Sequence, residues 1–127
     1  MAGKIICDLA PCAANERNSE GAFLPLKDGS LLFAYTRYRN GGWDDHCTAD
    51  LYGICSTDGG ESFGEPFLLL SCEEVGADNV MSVSLLRMKN GDIGLFYLQK
   101  HWATHTCVPY FTTSADEGKT WERIFGA

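Results

Sequence analysis

The chain has no apolar run approaching the roughly eighteen residues needed to cross a bilayer as a helix. Its opening, MAGKIICDLAPCAANERNSEG, has one lysine and only Ile5-Ile6-Cys7 as an apolar core. A secretory h-region needs about seven apolar residues or more, so a cytoplasmic location is expected. Positive charge is scarce: 10 Lys and Arg stand against 17 Asp and Glu, a net charge of −7. That balance argues against nucleic acid and anionic membrane surfaces as partners, although local arginines can still hold a small anion. The six cysteines, at 7, 12, 47, 55, 72 and 107, form no C-x-x-C pair, which argues against a zinc ribbon or a thioredoxin-type motif. They read as reduced thiols, mostly small buried hydrophobes. His101, His105 and Cys107 in HWATHTC match no metal-ligand spacing, so no metal is expected. No stretch carries a helical period. With 45% hydrophobic and 21% charged residues the chain nevertheless reads as globular, and its length suits one ordinary domain.

What the chain does contain is a repeat. STDGGESF at 56–63 returns as SADEGKTW at 114–121, both fitting Ser-x-Asp-x-Gly-x-(Ser/Thr)-aromatic, 58 residues apart. Upstream of each box, Lys27-Asp28-Gly29 and Lys89-Asn90-Gly91 sit between apolar runs. Asp-Gly and Asn-Gly tolerate positive φ and mark hairpins. Each unit therefore reads as strand, tight turn, strand, over 21–26 and 30–36 and then about 80–87 and 92–99. A longer loop and a third strand follow, DLYGICS and VPYFTTS, each running into its box. A fourth strand is expected at EPFLLL and, in the second unit, at WERIF. The box itself reads as the turn between third and fourth strands. Asp58 and Asp116 accept backbone N–H groups of their own turn, and Gly60 and Gly118 supply backbone freedom. Ser56, Ser62, Ser114 and Thr120 add hydroxyl hydrogen bonds, and Phe63 and Trp121 pack back on the sheet. Nothing in this role requires a ligand.

Four antiparallel strands repeated around a fixed turn describe β-propeller blades. The box closely resembles the Asp-box, or BNR repeat, of sialidases and related propellers. RNSEGAFLPLKDGSLLFAYTR, DDHCTADL and NVMSVSLLRMKNGDIGLFYL resemble the opening blades of bacterial sialidase-family proteins. The resemblance implies an all-β, six-bladed propeller, of which this chain looks like the N-terminal part. Blade one spans about 17–71 and blade two about 78–127, the latter incomplete. A chain of two such blades is expected to self-associate through its uncovered faces and strand edge.

Strand direction sorts the loops. With both boxes and both Gly turns at one end, the other end carries Arg17–Glu20, Arg37–Ala49, Asp78–Ser82 and His101–Thr106. Singly, these residues read as solvated or as packing residues. Together, two arginines, two acids and an aromatic at one end of a blade favour a ligand site. The resemblance implies roles for them. Arg17 matches an arginine that grips a substrate carboxylate, and a guanidinium can do so bidentately. Arg37, twenty residues on, matches a second substrate-site arginine. Asp45 best matches the general acid and base, with Asp44 as the fallback. Trp43, His46, Met81 and Ser82 complete the substrate-binding set. The implied activity is an exo-α-sialidase-like hydrolysis of terminal sialic acid from a glycan, through an oxocarbenium-like transition state and a tyrosine nucleophile. The tyrosine, its partner glutamate and the remaining arginines would lie in later blades, and no cofactor is implied. A non-catalytic propeller that binds sugar or protein, or a same-fold hydrolase of another acidic sugar, are the alternatives.

Overall fold

A computed structural model describes residues 2–122. Sheet one is a meander of β1 (Arg17–Pro25), β2 (Leu31–Tyr38), β3 (Ala49–Ser56) and β4 (Phe67–Leu70). A 3-10 turn (Glu73–Val75) leads to sheet two, built from β5 (Asn79–Arg87), β6 (Ile93–His101) and β7 (Thr106–Ser114). The first strands of both units begin earlier than their apolar runs do. Each contains a bulge, between Ser19 and Gly21 in β1 and between Met81 and Ser84 in β5, that lets pairing continue past polar residues. β4 starts only after Pro66, which has no N–H to give to the ladder. The fourth strand expected at 121–125 falls largely outside the described residues. Glu122 N does donate to Thr113 O of β7 at 2.8 Å. Among the described residues, no helix is long and apolar enough to cross a membrane.

The strand period of two decides which side chains meet. Ala34, Leu51, Leu69, Leu70 and Cys72 of sheet one and its 3-10 turn pack against Val80, Val83, Leu95 and Tyr97 of sheet two. Leu51, Val80 and Leu95 are fully buried, each removal from water contributing about 1.5–3 kcal/mol. Tyr35 and Tyr52 pair across sheet one with ring centroids 6.5 Å apart, and Tyr97 and Tyr110 occupy the matching positions of sheet two at 6.1 Å. The first pair lies on the side of sheet one away from sheet two, whereas Tyr97 faces sheet one. Both sheets thus point the same face in the same direction. Among the described residues, one face at each end has no partner sheet: Phe23 is 59% exposed on one, Leu86 55% and Phe96 46% on the other.

Both boxes have the same hydrogen-bonded structure. Ser56 Oγ donates to Asp58 Oδ1 at 2.8 Å and accepts from Gly60 N at 2.8 Å. Ser62 N donates to Asp58 Oδ1 at 2.9 Å, and its hydroxyl closes on Asp58 Oδ2. In the second box Ser114 Oγ bonds Asp116 Oδ1 and Gly118 N at 2.8 and 2.9 Å, and Thr120 bonds both oxygens of Asp116. Gly60 and Gly118 sit at φ +91° and +87°, where a β-carbon would be strained. Phe63 packs toward Phe23 at 6.4 Å, and Trp121 packs against the inter-sheet core. Glu117, at the tip of the second box, accepts Lys27 N at 2.7 Å and both ends of the Arg87 guanidinium at 2.5 and 2.8 Å. Arg87 also donates to Pro25 O at 3.0 Å. This ion pair of the second unit is therefore bonded to two backbone groups at the β1–β2 turn of the other sheet, Lys27 N and Pro25 O.

Only Cys72 of the six free thiols is buried; Cys7, Cys12 and Cys107 are exposed. The expectation that most are core residues is corrected: Cys7 and Cys12 precede β1, and Cys107 lies at the start of β7.

Two outcomes follow from these contacts. Hydroxyl and backbone donors hold the Asp58 and Asp116 carboxyls down at about 2, below the value near 4 of an unfolded chain. The stability they contribute is complete above about pH 4 and is lost as pH falls toward 2. Urea midpoints should drop across that window, and the drop should shrink in Asp58→Asn/Asp116→Asn; Asp58→Ala should lower Tm by about 5 °C or more at pH 7. The uncovered faces should make the chain self-associate at tens of micromolar, read by sedimentation velocity. Leu86→Lys/Phe96→Lys should shift the distribution toward monomer.

Candidate functional site

Arg17 opens β1 opposite Tyr38, the last residue of β2, so both side chains leave the same face at the end remote from the boxes. Asn15 fixes this end, its amide donating to Arg17 O at 2.9 Å and Tyr38 O at 3.0 Å. The Arg17 guanidinium lies over the Tyr38 ring, 4.7 Å from its centroid. Its Nη1 donates to Asp45 Oδ1 at 2.6 Å and to Trp43 O at 3.1 Å. The Tyr38 hydroxyl approaches the same Asp45 oxygen at 3.5 Å, and Lys100 Nζ donates to Asp45 O at 2.6 Å. Burial pushes the Tyr38 phenol up, which keeps its proton available for donation.

The loop that delivers Asp45 is shaped by short-range bonds. Asp44 Oδ1 accepts His46 N at 2.7 Å, an Asx turn that turns this carboxylate inward on its own loop. Gly42 passes so close to Cys47 that a β-carbon there would lie 1.8 Å from its Sγ. Asn79, opening β5 as Arg17 opens β1, donates to Cys47 O at 2.5 Å and ties the loop to sheet two. Trp43, 73% exposed, stands free beside the Arg17–Asp45 pair.

The other residues expected at this end are distributed differently. Arg37 is adjacent in sequence to Tyr38 and therefore leaves the opposite face, where it stacks on Tyr52 at 4.6 Å. The structure does not bring it to Arg17. Met81 accepts the Tyr38 hydroxyl at 3.7 Å through its sulfur, supporting the ring beneath Arg17. Ser82 sits in the β5 bulge at φ +58°, with its N–H on Thr36 Oγ1 at 3.2 Å and its hydroxyl 3.4 Å from Glu20 Oε1. His46 lines a neighbouring cavity with the β6–β7 turn. Arg39 is held away, Nε donating to the buried Asp50 at 2.6 Å while Asp50 also accepts Cys72 N at 2.9 Å. Among the described residues no group of three or more His, Cys, Asp or Glu side chains is placed to hold a metal.

Two participants went unrecognised in sequence. Tyr38 reads as one strand tyrosine among several, and only its register with Arg17 marks it. Lys100 pairs with Asn79 just as Tyr38 pairs with Arg17, so the repeat itself carried the signal. The Arg17 and Asp45 side chains are 32% and 55% exposed. A pair so open to water contributes about 0–1 kcal/mol to folding. The Arg17 hydrogen bond is the main cause that holds the Asp45 carboxyl below the usual carboxylate range. The Arg17 contact therefore favours the ionised form of Asp45.

Two solved structures share this arrangement of strands. The Hadza microbial sialidase Hz136 matches with a TM-score of 0.68 at 19% identity, over 83% of this chain and 25% of that one. A protein of unknown function from Dyadobacter fermentans DSM 18053 matches with a TM-score of 0.59 at 19% identity, over 83% of this chain and 35% of that one. The chain thus spans about a quarter to a third of the length of these proteins. No family model and no curated protein sequence matches it. The likeness is one of fold: the two sheets are arranged as blades of a sialidase-type β-propeller.

Removing Arg17 removes the principal cause of the low Asp45 pKa. In Arg17→Ala the Asp45 carboxyl should titrate at a higher pH than in the parent chain, and in Arg17→Lys closer to the parent. Carboxyl-carbon NMR of both variants reads the shift; an unmoved Asp45 midpoint in Arg17→Ala would refute the pairing.

Proposed function

We propose that this chain supplies the first part of the substrate site of a sialidase-like glycoside hydrolase acting on terminal sialic acid, with Asp-boxes as its structural turns. The observation that carries the reading is the Arg17–Asp45 pair, formed by residues 28 apart at the box-free end of the first strand. Arg17 is a carboxylate-binding guanidinium already engaged with a carboxylate. In this reading a substrate carboxylate replaces Asp45 on Arg17. Asp45, freed from the guanidinium, donates a proton to the leaving oxygen and later takes one from water. Trp43 offers an exposed aromatic face to the sugar. The fold neighbour described as a sialidase supports the class of chemistry.

A second reading, a non-catalytic sugar-binding blade pair, is favoured by one fact. Asp45 is held ionised by Arg17, the state of a binding partner rather than of a poised acid. Both readings share carboxylate capture by Arg17 and differ only in turnover.

Binding is tested first. N-acetylneuraminate should perturb Trp43 fluorescence and the amides near Arg17, while its methyl ester should bind about tenfold or more weakly. Arg17→Ala should abolish that preference. In a polypeptide that carries further blades, Asp45→Ala should cut kcat/KM by about 100-fold or more on a natural glycoside and much less on an activated aryl glycoside. Equal losses on the two substrates remove Asp45 from the acid role. Carboxylate-dependent binding without turnover selects the second reading.

A further inference from the structure

Beside the Arg17–Asp45 pair lies a cavity of about 600 Å³, lined by His46, Lys100, His101, Trp102, His105, Thr106 and Cys107. All three histidines of the chain line it. No lining residue is acidic, in a chain whose net charge is −7. Three carboxylates adjoin it, each engaged with a donor: Asp78 Oδ2 accepts Trp102 N at 2.8 Å, Asp44 Oδ1 accepts His46 N at 2.7 Å, and Asp45 Oδ1 accepts Arg17. Lys100 gives one hydrogen to Asp45 O, and an ammonium has three. The walls are set by a tight turn, with His105 N on Trp102 O at 3.2 Å and Thr104 and Thr106 hydroxyls 2.8 Å apart. That turn leaves Trp102 43% exposed. The volume falls in the range of small-molecule sites, roughly 300–1,000 Å³.

From this lining we propose a second ligand site in this cavity that takes a sugar ring bearing an anionic group, a sulfate ester or a carboxylate. The ring lies against Trp102, and the anion meets Lys100 and the imidazoles. An indole face suits the apolar side of a sugar, and a lining of ammonium and imidazole donors without a carboxylate suits an anion. The site does not depend on the chain cleaving a glycosidic bond. Because Lys100 reaches both the cavity and the Asp45 loop, a glycan held at Arg17 could continue into it.

The test uses the full chain and three probes: galactose 6-sulfate, glucuronate and galactose. Amide NMR shifts and tryptophan fluorescence give the affinities. One or both anionic sugars should bind with Kd of about 1–10 mM and move the amides of residues 100–107, with galactose about tenfold weaker or more. The stronger anionic sugar identifies which anion the site prefers. Trp102→Ala should weaken the anionic sugar about tenfold, and Trp102→Phe should restore most of it. His105 sits at φ +52°, which asparagine tolerates, so His105→Asn removes the imidazole while sparing the turn and should reduce the preference over galactose. Equal affinity for galactose and both anionic sugars overturns the proposal. So do shifts confined to residues 17 and 43–45, or binding of Zn²⁺ by the histidines with no sugar bound.

Discussion

The arrangement depends on one constraint: sheet two must lay the same face on sheet one that sheet one turns away from it. Leu51 and Ala34 meet Val80, Leu95 and Tyr97 only in that orientation. Strand alternation then leaves no freedom for the polar ends. Thr36 and Tyr38, on the packed face, reach Ser82 and Met81 of the neighbouring sheet. Arg37, one residue along, is sent to the other face and stacks on Tyr52. Which arginine joins Asp45 is thus decided by core packing, since a one-residue slip would exchange Arg17 and Tyr38 for Asn18 and Arg37.

Hydrophobic contact alone does not fix how far one sheet slides along the other. Polar bonds at the two ends do. At the box end Glu117 gathers Arg87 and Lys27 N, while Arg87 reaches Pro25 O. Glu117 adopts φ +61° there, a conformation uncommon outside glycine and a local cost that its three charge-assisted bonds offset. At the other end Asn79 holds Cys47 O and Lys100 holds Asp45 O. The loop carrying Asp45 is consequently positioned by sheet two, although its sequence belongs to the first unit. A single blade would contain both Arg17 and Asp45 but not the groups from sheet two that place Asp45.

The fold was legible because its signals are local and repeated. Asp28-Gly29 and Asn90-Gly91 fix the hairpins, and Ser56-x-Asp58 and Ser114-x-Asp116 fix the following turns, each using side chains within four residues. The bulges in β1 and β5 were not legible, since no residue type announces one at Glu20 or Ser82. The bulge in β1 carries its pairing back to Arg17, which lies within the strand ladder rather than before it, while β5 begins within one residue of its expected start. At the candidate site, proximity of Arg17 to the 43–46 loop followed from strand order. Which acid it meets did not: Asp44 and Asp45 differ only in which one satisfies its own turn. Lys100 and Trp102 lie more than fifty residues from that loop and acquire their place solely through sheet packing.

The resting pair also bears on the chemistry proposed for it. A carboxylate held by a guanidinium is a poor proton donor at neutral pH, and Asp45 is held in that way. On the proposed reading an anionic ligand competes with Asp45 for Arg17. If it wins, Asp45 loses its principal stabilising bond and gains a neighbouring negative charge, while the bound ring displaces water. All three changes raise its pKa. On the proposed reading, carboxylate recognition and preparation of the acid are therefore one step, and a neutral sugar bound beside Trp43 leaves Asp45 ionised. Lys100 limits how far the Asp45 backbone can move in this exchange by holding its carbonyl at 2.6 Å, while the Tyr38 hydroxyl only approaches the carboxyl oxygen at 3.5 Å. The carboxyl can turn from Arg17 toward a ligand while its loop remains anchored, so the exchange requires rotation of a side chain and no movement of either sheet.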